Sequence, residues 1–179
     1  KRRKDDTMKS LYIDCGMGAA GDMLTAALLE LLPDPDAAVT ELNALGIPGV
    51  RFSKHPSTKC GILGTHVSVK IHGREETDLA QRHGHRHSLE HEHAHEHPNH
   101  SHSSLHQIGH LLENLPVSQN VRNHAISVYD LIARAESSAH GVPVSEVHFH
   151  EVGTMHAVAD VTAVCLLMEK LAPDEVIVS

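Results

Sequence analysis

Apolar residues recur every three or four positions over five stretches of the chain, and this spacing predicts helices. Met23–Leu32 is apolar nearly all round, which indicates a buried helix. A shorter helix is expected over Asp36–Leu45, and Gly46 would end it because glycine readily adopts the left-handed conformation found at helix ends. The other predicted helices cover about residues 104–115, 118–140 and 154–171.

Short apolar runs between turn residues predict the strands. Leu11–Cys15 indicates a buried strand that enters a glycine-rich turn, and residues 175–179 indicate a last strand. Val50–His55 and Thr65–His72 are also expected to be strands, the second with the alternation of a half-buried sheet. We therefore predict an α+β fold, in which a small mixed sheet is covered by about five helices and interrupted by a disordered histidine-rich loop.

A low-complexity insert at residues 74–103 forms this loop. It has almost no apolar residue to bury, so burial cannot offset the entropy lost on ordering. It is rich in imidazole, which suits late first-row divalent metals such as nickel, copper and zinc. The predicted metal ligands are nine histidines of the insert, followed by two at helical spacing: His83, His85, His87, His91, His93, His95, His97, His100 and His102, then His106 and His110.

Composition and charge exclude several classes of protein. The 179 residues carry a formal net charge of −8 and no cationic patch beyond the first four residues, so no nucleic-acid partner is expected. No apolar run approaches the ~20 residues of a membrane span and nothing at the N-terminus resembles a signal peptide, so we expect a cytoplasmic protein without a membrane partner. Three widely spaced cysteines also indicate a reducing compartment.

The two ends of the chain indicate a fragment. Met8 precedes the first folded-looking segment, so residues 1–7 are interpreted as a disordered or vector-derived arm. Residues 175–179 run to the last position with no turn after them. We therefore expect residues 8–179 to form the N-terminal domain of a larger protein whose C-terminal domain is missing.

Residues 16–21 match G-x-G-x-x-G between a predicted strand and a predicted helix, as in dinucleotide-binding folds. The segment after the helix is polar and broken by proline instead of forming a second apolar strand, so a dinucleotide site is a minor alternative. Two other interpretations of these glycines fit equally well. The turn and the helix N-terminus could bind a phosphate, or the turn could simply need residues with positive φ. The candidate binding residues are Gly16, Gly18 and Gly21.

Two acids flank this turn and are candidate site residues. Asp14 ends the first strand, where its carboxylate could bind a cation or orient a substrate. Asp22 could act in the same way, although its position fits the N-cap of the following helix equally well.

The best-defined candidate site outside the insert is the segment His148–Phe149–His150–Glu151. In a strand, alternation would place both imidazoles on one face, ~6.6 Å apart along the chain, with Phe149 on the other face. Such a pair can share a metal with a third ligand, whereas the structural alternative is a hydrogen-bonded pair. Asp160 lies among aliphatic residues of the last helix and is either solvent-facing or functional.

Four segments together resemble the nickel-insertion protein family of nickel-pincer cofactor biosynthesis (LarC type). They are LYIDCGMGAAGDMLTAALLEL, KCGILGTHVSVKI, the histidine-rich insert and VHFHEVGTMHAVADVTAV. The resemblance covers Met8 to Ser179 and only the N-terminal part of that family's length. It implies insertion of nickel into pyridinium-3,5-bisthiocarboxylic acid mononucleotide, which yields the cofactor of lactate racemase-type enzymes. It also implies CTP and a divalent cation, Mg²⁺ or Mn²⁺, as cofactors.

The resemblance implies roles for particular residues. The catalytic group would comprise His148, His150, Glu151, Asp14 and Asp22. A basic side chain must remove a ring C–H proton, and His148 or His150 is preferred because neutral imidazole acts near pH 7. Family members commonly have an acid where this chain has His156, which could still bind metal but could not act as a carboxylate.

Two classes of function remain open. The first is a nickel chelatase (cyclometallase) of the lyase class, which takes a nucleotide-like substrate and is a homo-oligomer at full length. CTP handling could depend on the missing C-terminal domain, and the fragment alone would then be inactive. The second is a nickel storage or delivery protein without chemistry of its own. A nucleotide-binding enzyme that uses the glycine turn is the third alternative.

Overall fold

The computed structural model describes residues 8–16, 18–75, 103–149 and 153–179. Its helices are α1 (Gly21–Glu30), α2 (Pro35–Ala44), α3 (Leu105–Asn114), α4 (Gln119–His140) and α5 (Met155–Leu171). Its strands are β1 (Ser10–Ile13), β2 (Val50–Lys59), β3 (Ile62–Ile71), β4 (Arg74–Glu75), β5 (Ser103–Ser104), β6 (His148–Phe149) and β7 (Glu175–Val178). The predicted α+β class is confirmed.

The described strands are divided among three small sheets, where the sequence predicted one mixed sheet. β1 and β7 are parallel and join the two ends of the chain. β2 and β3 form a long antiparallel hairpin, and β4 pairs with the end of β3. β5 and β6 form a two-residue antiparallel pair. The apolar pattern of a strand indicates which face is buried but not which distant strand is its partner.

Side chains at helix N-termini confirm most of the predicted boundaries. Ser104 and Gln107 form a capping box at α3, in which each side chain accepts a hydrogen bond from the backbone N–H of the other residue. The side chains of Ser118 and Thr154 cap α4 and α5 by accepting one hydrogen bond each, from the N–H of Val121 and of Ala157. None of the helices in the described ranges combines the length and the apolar character needed to cross a membrane.

The alternative that Asp22 is the N-cap of α1 is wrong. Ala20 occupies the N-cap position with extended backbone angles, and Asp22 is the second residue of the helix. Its carboxylate accepts a hydrogen bond from the N–H of Met23 at 2.8 Å. The helix begins one residue before Asp22 because Gly21 packs directly against α5 in helical conformation.

The predicted burial of the first strand is also corrected. Leu11 packs against the core, but Tyr12 is 61 % exposed, and all four residues of β7 are exposed. Successive side chains of a strand point to opposite faces, and only one face of this two-stranded sheet is packed in the part of the chain that the structure describes. A short apolar run therefore does not require burial on both faces.

The histidine-rich insert has narrower bounds than residues 74–103. Arg74 and Glu75 form β4, and Ser103 begins β5, so strand pairing extends to both margins. The nine histidines between these margins lie outside the described residues. Their disorder and their metal binding therefore stay predictions.

The buried core connects the helices to the hairpin. Its largest fully buried side chains include Tyr129, Phe149, Leu29, Leu42, Ile108, Leu112 and Leu167. The rings of Tyr129 and Phe149 contact each other with their centroids 5.9 Å apart and their planes tilted by 57°. This contact packs α4 against β6, the strand that contains the start of the His-x-His segment.

Asn43 of α2 supplies a polar link between the helices and the hairpin. Its side-chain amide accepts a hydrogen bond from the N–H of Phe52 and donates one to the C=O of Phe52, both at 2.9 Å. Phe52 is 2 % exposed, so its backbone groups have little access to water. The Asn43 side chain thus completes the hydrogen bonding of one edge of β2.

Replacing this amide should destabilise the protein measurably. Asn43→Ala leaves two backbone groups of Phe52 without their partners, so we expect the free energy of unfolding to fall by about 1–3 kcal/mol. Urea denaturation followed by circular dichroism measures the change. Asn123→Ala is the matched control, because Asn123 is exposed on α4 and should shift stability by less than about 0.5 kcal/mol. Equal losses in the two variants would contradict the structural role of Asn43.

Candidate functional site

The carboxyl ends of β1 and β7 meet at a turn that Asp14 holds together. The Asp14 Oδ1 atom accepts hydrogen bonds from the N–H of Gly16 at 2.9 Å and from the hydroxyl of Ser179 at 3.3 Å. The Ser179 hydroxyl oxygen in turn accepts a hydrogen bond from the N–H of Cys15 at 3.0 Å. One carboxylate oxygen of Asp14 is therefore committed to the turn, which gives this acid a structural function whatever else it binds.

The three glycines after β1 are required for different physical reasons. Gly18 has φ of +96°, which non-glycine residues rarely adopt, and its N–H donates to the C=O of Cys15 at 2.9 Å. Gly16 lies against Asp14, where a Cβ would be 3.1 Å from Oδ1. Gly21 lies against Asp160 of α5, where a Cβ would be 2.5 Å from Cγ. Positive φ therefore explains the glycine at position 18, and close packing explains the glycine at position 21.

The neighbours of this turn differ from those of a dinucleotide-binding fold. β1 pairs with β7 from the other end of the chain, and α1 is followed by a second helix, α2. The N-cap residue Ala20 provides no side-chain hydrogen bond to the first turn of α1. Backbone N–H groups at such a helix N-terminus, together with the helix dipole, favour an anion such as a phosphate.

A histidine–carboxylate pair on α5 lies directly against the start of α1. His156 Nε2 is 3.5 Å from Asp160 Oδ2, and each side chain is 18 % exposed. The two residues are four positions apart and therefore lie on one face of α5. The same carboxylate contacts Gly21, so Asp160 connects the glycine turn to the imidazole of His156.

The phenol of Tyr129 on α4 is close enough to this pair to be affected by the charge of Asp160. Burial raises the pKa of the Tyr129 phenol well above its ordinary value, and the negative charge of Asp160 raises that pKa further. The phenol therefore stays protonated at neutral pH. Sequence reasoning missed Tyr129, because a lone tyrosine in an amphipathic helix is normally part of the core; the only available signal was Asp160, an acid among aliphatic residues.

The His-x-His segment is next to the margin of the insert. In the antiparallel pairing of β5 with β6, Ser103 is opposite Phe149 and Ser104 is opposite His148. Phe149 lies in β6 and is 1 % exposed, so its side chain faces the core. The predicted placement of both imidazoles on the opposite face stays a prediction. The side chain of His148, and His150 and Glu151, lie outside the described residues, so their roles stay predictions.

The remaining predicted residues lie in separate places. His106 and His110 are exposed on α3, one helical turn apart, and His110 Nδ1 is 3.4 Å from the side-chain nitrogen of Asn114. Asp22 lines a surface groove of about 330 Å³ between α1 and β3, together with Glu30 and His66. Across the described ranges, no three His, Cys, Asp or Glu side chains converge in a group that could hold a metal ion.

The contact between Gly21 and Asp160 should tolerate no added side chain. In Gly21→Ala the new Cβ would overlap the Asp160 carboxyl group, so we expect the free energy of unfolding to fall by about 1–3 kcal/mol. Gly109→Ala is the matched control in helix α3, where the added Cβ would meet no atom within 4 Å other than those of the neighbouring helix backbone and the adjacent residues. We expect that variant to gain about 0.5–1 kcal/mol from helix propensity. Thermal unfolding compares them, and a neutral Gly21→Ala would disprove the close contact.

Comparisons with known proteins match nearly the whole chain. Residues 11–179 match the family model described as nickel insertion protein. A protein of Lactiplantibacillus plantarum named pyridinium-3,5-bisthiocarboxylic acid mononucleotide nickel insertion protein is 36 % identical over 96 % of this chain and 40 % of its own length. Proteins with the same name from Akkermansia muciniphila and Clostridium kluyveri are each 34 % identical, over 94 % and 96 % of this chain and 38 % and 40 % of their own lengths.

The chain thus spans about two fifths of the length of the curated relatives it matches. No solved structure matches it. The match to the family model covers both the glycine turn that follows β1 and the α5 helix with its His156–Asp160 pair. The chain therefore belongs to the nickel insertion protein family.

Proposed function

We propose that this chain is the metal-handling part of a nickel chelatase that inserts nickel into pyridinium-3,5-bisthiocarboxylic acid mononucleotide. The product would be the nickel-pincer cofactor of lactate racemase-type enzymes. The pairing of β5 with β6 carries the proposal. It places the C-terminal margin of the histidine-rich insert beside the strand that leads into His150 and Glu151. Nickel gathered by the insert would therefore arrive next to the residues proposed to receive it.

The insertion step replaces a ring C–H bond by a carbon–nickel bond. Nickel enters as Ni²⁺ and keeps that oxidation state, while two thiocarboxylate sulfurs also bind it. The displaced ring proton passes to a basic side chain, for which His148 or His150 is proposed because neutral imidazole accepts a proton near pH 7. The carboxylates of Glu151, Asp14 and Asp22 are proposed to hold or orient the cation and the substrate.

The His156–Asp160 pair is proposed to hold the His156 imidazole in a fixed orientation near the site of nickel insertion. A carboxylate next to an imidazole selects its tautomer and its ring orientation, as it does for many metal-binding histidines. Asp160 Oδ2 lies 3.5 Å from His156 Nε2, and the protonated phenol of Tyr129 is close enough to the carboxylate to be affected by its charge. His156 would thus present an oriented imidazole at a position where the family commonly has an acid.

The glycine turn is proposed to bind the phosphate of the mononucleotide. The proposed residues are Gly16, Gly18 and Gly21, and the space beside Gly18, where a Cβ would meet no atom within 4 Å, would let a phosphate approach the backbone closely. Ala20 provides no side-chain cap, which leaves the N–H groups of Gly21 and Asp22 for the anion, whereas the N–H of Met23 donates to the Asp22 carboxylate.

The remaining features of the proposal concern the whole protein. We propose that the full-length enzyme requires CTP and Mg²⁺ or Mn²⁺, catalyses a lyase-type reaction and is a homo-oligomer. Its other three fifths would supply the C-terminal domain. A cytoplasmic location also belongs to the proposal. It is supported by three free cysteines, Cys15, Cys60 and Cys165, because a reducing compartment keeps thiols unpaired.

Substituting the proposed base tests the chemistry. In the full-length protein supplied with nickel, CTP and the thiocarboxylated mononucleotide, His148→Ala or His150→Ala should slow nickel insertion by about 100-fold or more, because a general base contributes on that scale. Mass spectrometry of the nickel-containing product measures the rate. His124→Ala, an exposed histidine of α4, is the matched control and should insert nickel normally. Full activity in both test variants would refute the assignment.

The insert separates this proposal from the rival of nickel storage. Changing its nine histidines to serine should lower the nickel bound per chain, measured by atomic absorption. For a chelatase, insertion should continue at near-normal rate when nickel is saturating, and should slow only when nickel is scarce. A storage or delivery protein would instead show no insertion activity in either the parent or the substituted protein.

A further inference from the structure

Two histidines that no part of the proposed mechanism uses lie opposite each other in the β2–β3 hairpin. His55 and His66 are direct register partners in the antiparallel pairing. Side chains of directly opposite residues share one face of the sheet, with Cβ atoms about 4.5–5.5 Å apart. Both histidines are exposed, so a solvated cation can reach both imidazoles. Two imidazoles at that separation can bind the same metal ion.

A serine on the same face orients one of the two rings. Ser68 follows His66 by two residues and therefore lies on the same face, with its hydroxyl oxygen 3.4 Å from His66 Nε2. If Nε2 carries the proton and donates it to this hydroxyl, the lone pair is on Nδ1 and points away from Ser68. A metal-binding histidine commonly donates its second ring N–H to such a neighbour.

The surroundings of the pair favour a cation. His66 lines the groove of about 330 Å³ with Asp22 and Glu30, and His55 lines an adjoining groove of about 320 Å³ that Glu30 also borders. A Cβ on Gly64 would lie 3.7 Å from the Glu30 carboxylate, and Gly64 is on the same strand face as His66. The nearby Lys54 is paired with Asp36 at 3.1 Å, which offsets its positive charge.

We propose that His55 and His66 form a two-imidazole site for a late first-row divalent cation, namely Ni²⁺, Cu²⁺ or Zn²⁺. Imidazole suits these metals, and two ligands on adjacent strands are held at a nearly constant separation by the backbone pairing. Water would fill the other coordination positions, since no group of three protein ligands occurs in the described ranges. The two histidines belong to neither the insert nor the His-x-His segment of the sequence, and binding by them does not depend on the proposed function.

A metal titration of a protein with serine at the nine insert histidines tests the pair. Proton–carbon NMR resolves the ring signals of individual histidines, and bound Ni²⁺ broadens those that ligate it. We expect the His55 and His66 signals to broaden together, over the same range of added nickel chloride. His55→Ala should weaken nickel binding at His66 by about tenfold or more, because only one protein ligand remains. His66→Ala should do the same at His55.

The double variant distinguishes a shared site from two separate ones. If the two histidines share one ion, the double variant that carries both His55→Ala and His66→Ala should lose the same amount of bound nickel as each single variant. His124→Ala on α4 is the control and should leave both signals unchanged. Broadening of His55 and His66 over different nickel ranges, or His66 binding that is indifferent to His55→Ala, would overturn the proposal. The joint titration of the parent protein decides the matter even if an alanine variant does not fold.

Discussion

The close contact between Gly21 and Asp160 is the constraint on which the arrangement of the candidate site depends. It brings the N-terminus of α1 against α5, and those helices are attached to β1 and β7, which pair in parallel. Two segments about 140 residues apart in sequence therefore form one unit, in which the turn after β1, the end of β7 and the His156–Asp160 pair are neighbours. Only glycine fits at position 21, because any side chain would occupy the space of the Asp160 carboxyl group.

The same contact explains why polar groups occur where α1, α4 and α5 meet, a region whose other side chains are mostly apolar. Asp160 retains an imidazole partner within its own helix, contacts the backbone of α1 and raises the pKa of Tyr129 on α4. A carboxylate with limited exposure needs such partners, because burying an isolated charge costs several kcal/mol. One acidic residue thus connects three helices, and the family match extends over all of them.

The candidate metal-binding residues are distributed along the chain in an order that follows the strands. The insert begins after β4, at the end of the hairpin that carries His55 and His66, and it ends at β5, which pairs with the start of the His-x-His segment. Histidines therefore occur before, within and after the insert in the sequence, and strand pairing sets the positions of the elements that flank it. This order is compatible with the proposed function, in which the insert gathers nickel and the His-x-His segment uses it.

The sequence alone was sufficient for the helices and for the α+β class, because helical periodicity is a local property. Residue types also indicated metal chemistry, since imidazoles in such number have few other uses. Tertiary structure decided what local pattern cannot encode. It paired β1 with β7 and left Tyr12 exposed, it placed Ala20 rather than Asp22 at the N-cap of α1, and it brought Tyr129 behind Asp160. These outcomes depend on contacts between residues far apart in sequence, whose energies arise only when the helices and strands are packed together.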